Sequence, residues 1–173
     1  MKTKIAIFGI LFSLIMSNSF SQEKSKKELK AERKIEARKQ TEAMVNAKEF
    51  VFIGTTALPT GARSVNLTTR SNFVKFYPEL IESDMPFFGR AYSGVGYGGD
   101  DGLKFEGKPE EYTFTKGEKN YLIKAVVKGE NDTYRLTLTV FFEGSASLSI
   151  SSNNRSSISY NGDIAAPEKP KEK

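Results

Sequence analysis

Between Tyr112 and Ile164 the chain alternates apolar and polar residues in five short segments, each followed by a turn signal. In the clearest of them Tyr134, Leu136, Leu138, Val140 and Phe142 occupy one side of an extended chain, and Thr133, Arg135, Thr137 and Thr139 the other. Tyr112 and Phe114 lead in, Tyr121, Ile123, Ala125 and Val127 repeat the pattern, and Ala146, Leu148 and Ile150 continue it. Ile158, Tyr160 and Ile164 complete it. A period of two predicts strands with one buried and one solvated face. The breaks at 116–120, 129–132, 143–145 and 152–155 carry the Gly, Asn, Asp and Ser that supply positive φ and side-chain turn bonds. Sequential antiparallel pairing follows, a meander.

The same reading extends upstream. Phe50, Val51, Phe52 and Ile53 are apolar on both faces, which predicts a central, well-covered strand. Val65 and Leu67 predict a short return strand, Phe73 to Tyr77 another, and Leu80 to Glu82 and Leu103 to Glu106 two more. The fold class is therefore mainly β, an antiparallel meander of about 9 strands forming a sandwich or a curled, barrel-like sheet. This β-domain is placed at residues 48–164, with a charged N-terminal helix before it and a short disordered tail at 165–173.

Ahead of it stand a basic start, Lys2 and Lys4, and an apolar run from Ile5 to Met16. The run is shorter than the roughly 20 residues that span a bilayer, so residues 1–21 read as a secretory signal peptide with cleavage between Ser21 and Gln22, and no permanent membrane span is expected. No cysteine follows the run to be lipidated, which points to a periplasmic or secreted protein. Residues 22–47 are rich in Lys, Glu, Ala, Arg and Gln without Gly or Pro, a helix by propensity. Its large apolar residues, Leu29, Ile35, Met44 and Val45, form no continuous stripe. Only the last turns near Met44 are expected to pack, and the rest serves as a spacer or makes weak electrostatic contact with an anionic surface.

Composition removes much chemistry. The 173 residues include no Cys, His or Trp, so thiolate nucleophiles, imidazole bases and the common zinc, copper and haem ligands are absent. No catalytic residue and no cofactor is expected. The net charge of +5 is unevenly placed: residues 23–48 hold nine Lys or Arg against five Glu, whereas residues 49–164 hold twelve against fourteen acids. A slightly acidic folded part argues against nucleic acid as a partner.

The segment Met85 to Gly107, MPFFGRAYSGVGYGGDDGLKFEG, departs most from strand patterning. Gly94, Gly96 and Gly99 satisfy GxGxxG, but no strand before them, helix after them or βαβ unit around them makes this a dinucleotide site. Asp100 and Asp101 offer oxygens to calcium without the remaining ligand spacing of an EF-hand. Glycines also let a strand bend at a sheet corner. Such a bend would present Arg90, Tyr92, Tyr97, Asp100 and Asp101 at the mouth of the sheet as ligand-binding groups. The polar hairpin tip 151–157 adds Asn153, Asn154 and Arg155, able to grip a sugar or carboxylate, although such a stretch is more often only a turn.

The strings MPFFGRAYSGVGYGGDDGLKFEGKPEEY, SNNRSSISYNG and NAKEFVF, spanning Met44 to Ile164, resemble the domain-of-unknown-function family numbered 4251, found in cell-envelope proteins of Bacteroidota. The resemblance implies an exported bacterial envelope protein and carries over no activity. Many similar proteins carry a lipobox cysteine after the signal peptide, and this chain does not. The expected function is a non-enzymatic envelope β-domain binding a ligand or partner. Two alternatives are a structural or assembly spacer, and a glycan hydrolase using carboxylates from Asp100, Asp101, Glu106, Glu110 and Glu111.

Overall fold

A computed structural model describes residues 25–68, 72–92 and 102–167. Ser21, Gln22, Tyr97, Asp100, Asp101, the three motif glycines and tail residues 168–173 lie outside the described residues. The chain divides into two units, Met1–Lys34 and Ile35–Lys173. Helix α1, Lys26–Ala47, begins in the first. It starts at a capping box, with the Glu28 N–H donating to Ser25 Oγ (3.3 Å) and the Ser25 N–H to Glu28 Oε2 (2.9 Å). It stops where Lys48 takes φ 57° and the Glu49 N–H bonds the Met44 carbonyl at 3.2 Å. Among the described residues no helix is long and apolar enough to cross a membrane.

The second unit holds the strands β1 (Phe50–Pro59), β2 (Val65–Asn66), β3 (Phe73–Tyr77), β4 (Leu80–Met85) and β5 (Leu103–Gly107). After them come β6 (Pro109–Lys116), β7 (Asn120–Lys128), β8 (Thr133–Phe141), β9 (Ser145–Ser152) and β10 (Ile158–Ala165). All strand pairs are antiparallel, in the order β5-β4-β3-β1-β10-β9-β8-β7-β6, with β2 also on β1. The sheet is thus single and curled almost into a barrel, the second of the two forms expected from the sequence. Residues 109–165 form the predicted meander, with every strand beside its neighbour in sequence. The β1–β10 ladder, from Val51↔Ala165 to Pro59↔Ile158, joins that meander to the upstream one.

β1 departs from its sequence reading. It is central in the sheet but covered on one face only: Phe50 and Phe52 are buried, Val51 is half-buried and Ile53 is 42% exposed. A register shift between Gly54 and Thr56 then changes which parity points inward, so that Ala57 and Pro59 are buried. On the other edge of β1, between β2 and β3, the Asn72 amide takes over from a strand and donates to the Gly54 and Leu67 carbonyls.

The core is the sheet's inner face, including Phe50 stacked on Phe76 (4.7 Å), Ile123, Leu138, Leu148 and Tyr160. Within the second unit the last turns of α1 cover part of it. Val45 and Thr41 are buried, Arg38 lies 4.1 Å over the Phe142 ring, and Glu42 pairs with Lys116 at 2.5 Å. Edge strand β5 lies against the ends of β7 and β8, with no ladder between β5 and β7 among the described residues. A Cβ on Gly107 of β5 would stand 2.7 Å from the Lys128 carbonyl of β7, so only glycine admits this approach, and Phe105 crosses the seam to stack on Tyr134 at 4.0 Å.

Candidate functional site

Three turns meet at one end of the sheet: the segment 86–92 after β4, the β7–β8 turn at 129–132, and the β9–β10 turn at 153–157. Residues 86–92 and 153–157 are zipped together. Ala91 bridges to Arg155, the Tyr92 N–H donates to the Asn154 carbonyl (2.8 Å), and the Ser156 N–H donates to the Arg90 carbonyl (2.9 Å). Ser156 Oγ in turn accepts from the Arg90 N–H at 3.0 Å. Tyr160 anchors the first segment from below, its hydroxyl donating to the Pro86 carbonyl at 2.8 Å.

Five of the sequence-selected residues, Arg90, Tyr92, Asn153, Asn154 and Arg155, therefore stand side by side, far apart in sequence but joined by backbone bonds. Their side chains differ in what they face. Tyr92 is 70% exposed. Arg155 turns inward, donating through Nη1 to the Gly102 carbonyl at 2.8 Å, with its guanidinium 5.2 Å over the Phe87 ring. The Asn153 amide oxygen accepts from Arg135 Nη1 (3.1 Å), and Asn154 Nδ2 donates to the Asn131 carbonyl (3.2 Å).

The alternation and turn signals did not single out Asp132, which organises this end. Its carboxylate accepts from the N–H groups of Thr133 (2.8 Å), Asn153 (3.0 Å) and Asn154 (3.3 Å), pinning the β9–β10 turn to the β7–β8 turn. An Asx pattern after Gly129 was the available signal, but it names a turn and no distant partner.

Two grooves flank the β7–β8 turn. One, of 410 Å³, lies between that turn and Asn153 and Asn154. The other, of 440 Å³, opens at the seam beside the free edge of β5. Its aromatic part is the Phe105–Tyr134 pair, and Gly129 to Asn131 form one wall. Consecutive residues of β4 and β5 contribute the rest, so both parities reach it: Glu82, Asp84, Lys104 and Glu106 beside Ser83, whose buried hydroxyl donates to the Leu103 carbonyl (2.8 Å). Burial, with the Asp132 charge nearby, holds the Tyr134 hydroxyl above the usual tyrosine pKa.

Elsewhere on the sheet the hydroxyls of Tyr112 and Tyr121 are buried without a hydrogen-bond partner among the described residues, and burial pushes the Tyr112 pKa up to about 12. Among the described residues no group of three or more acidic side chains is placed to hold a metal ion.

A single antiparallel sheet curled almost into a barrel, with a turn-built rim and a groove beside β5, defines a small, mainly β domain. The chain belongs to the family described as a domain of unknown function, DUF4251, whose family model matches residues 32–164. A crystal structure of a DUF4251 family protein from Bacteroides eggerthii is similar in fold, with a TM-score of 0.58 at 17% identity, over 75% of this chain and 87% of that one. No curated protein matches the chain.

Proposed function

We propose that this is an exported, non-enzymatic β-domain of the bacterial cell envelope that binds a ligand or partner at the turn-bearing end of its sheet. The observation that carries the reading is the pair of grooves flanking the β7–β8 turn, 440 and 410 Å³, where sequence-distant aromatic, acidic and amide groups converge. Support for export comes from the basic start and apolar run at residues 1–21, and support for binding rather than catalysis from a chain without Cys or His. An unknown envelope molecule is the partner class this favours.

Cell fractionation with an antibody places the protein, and finding it intact in the cytosol overturns export. For binding, the purified protein is screened by thermal shift against envelope glycans, lipids and metal ions, and crosslinked in cells. A ligand that raises the melting temperature supports the reading by linkage; no shift, no co-purifying molecule and no crosslink overturns it.

A further inference from the structure

We propose that the last turns of α1, residues 38–47, form a strap that lifts off the inner face of β6–β8 as a unit while the sheet stays folded. The device lies on a different part of the sheet from the two grooves and goes beyond the binding reading. Three observations carry it.

The strap runs lengthwise along β6. At one end Glu42 pairs with Lys116, the last residue of that strand, and Arg38 covers the Phe142 ring. At the other end Lys48, the first residue after the helix, stands 4.6 Å over the Tyr112 ring.

What holds it down is slight. Of the 22 residues of α1 only Thr41 and Val45 are buried. The Glu42 and Lys116 side chains stay 38% and 47% exposed, and an ion pair in that much water adds little to stability. Few buried contacts and a solvated rim mark an element that opens ahead of the rest of a fold.

Two groups beneath the strap are poorly served by its closure. Tyr121 is 0% exposed, with its ring 5.0 Å from Phe142 and 5.7 Å from Lys116 Nζ, yet its hydroxyl has no hydrogen-bond partner among the described residues. The buried Tyr112 hydroxyl has none either. Keeping an O–H from water without an acceptor costs free energy, and opening the strap recovers it. Phenylalanine at either position would pack the same ring without that cost, as Phe114 and Phe142 do beside them. The closed form is therefore the strained partner of an open one, in which aromatic ring faces and two O–H donors on β6 and β7 are uncovered.

Native-state hydrogen exchange of the full-length chain, read amide by amide across low urea concentrations, tests this. The amides of 43–47 are expected to exchange at least about tenfold faster than those of β10. Their urea dependence should be shallower, because only the strap's small buried surface is exposed. Tyr112→Phe with Tyr121→Phe should slow exchange at 43–47 by about tenfold, one tenfold step per 1.4 kcal/mol of relieved desolvation. Ile150→Val, in the core beside the β9–β10 turn, should lower β10 protection by roughly several-fold and leave 43–47 as they were.

Equal rates and equal urea slopes in α1 and β10, or amides at 43–47 with no protection at all, would overturn the proposal. So would a double tyrosine variant whose α1 protection is unchanged or lower, or an Ile150→Val effect shared by both regions. The urea series on the unaltered chain decides the matter even where a variant folds poorly.

Discussion

At the scale of residues, one carboxylate holds two turns in register. Asp132 accepts three backbone N–H groups from two different turns, and hydrogen bonds to a charged acceptor contribute about 1.5–3 kcal/mol. Asp132→Ala is expected to lower stability by about that amount, and Asp132→Asn, which keeps one oxygen, by less. Urea denaturation checks this, through a lower midpoint at unchanged slope. Gly162 is constrained differently. A Cβ there would stand 2.0 Å from the Ile53 carbonyl oxygen, opposite Gly54 at the register shift, so two backbones approach where no side chain fits. Gly162→Ala should cost about 3 kcal/mol or prevent folding, while Gly61→Ala, at φ +77° in open space, should cost about 1–2 kcal/mol. Thermal unfolding of both variants tests the order. In the sequence Asp132 is one more turn aspartate and Gly162 one more strand glycine, because the atoms that constrain them belong to another hairpin or to a strand about a hundred residues away.

At the scale of elements, α1 behaves as two halves. Val45 is 1% exposed and Leu29 is 42% exposed. Val45→Ala should therefore cost about 2 kcal/mol by lost burial and a residual cavity, and Leu29→Ala within about 0.5 kcal/mol, as read by chemical denaturation. The spacing of four apolar residues along the helix made this legible. The Glu42–Lys116 pair was not, since it joins the helix to β6. Hydrogen bonding and charge from Lys116 lower the Glu42 pKa below 4.5. A group with a depressed folded pKa contributes stability above its unfolded pKa and loses it as pH falls through the folded one. Stability should thus decline below about pH 4.5 in part through this pair, and Glu42→Gln should flatten that acid limb; an unchanged limb would show that the exposed pair contributes nothing. β1 marks the opposite failure of element reading. Four consecutive apolar residues suggested cover on both faces, yet Ile53 is open to solvent, because an antiparallel sheet can pack one face on the core and leave the other in water even at a central strand.

At the scale of the whole molecule, the β1–β10 ladder turns two meanders into one sheet, and the seam between β5 and β7 is where that sheet fails to close. Hydrogen exchange should follow this plan. The amides of β9 and β10, paired on both sides, are expected to be the most protected, and those of β6, an edge strand with mostly exposed residues, the least. Uniform protection across β6 and β10 would mean that the edge is covered in solution.

The sequence by itself determined a mainly β, antiparallel fold and the 109–165 meander through alternation, and the charged helix through propensity, because a period of two, the turns between strands and helix propensity are all local properties of the chain. The residues at the turn-bearing end were visible as polar and aromatic types without partners. Only the tertiary structure decided that β1 pairs with β10, that the sheet curls into one layer instead of splitting into two, and that Tyr134, Phe105 and Glu130 share a groove. Those outcomes depend on contacts between residues far apart in the chain, where backbone pairing and twist, absent from any local pattern, choose which side chains meet.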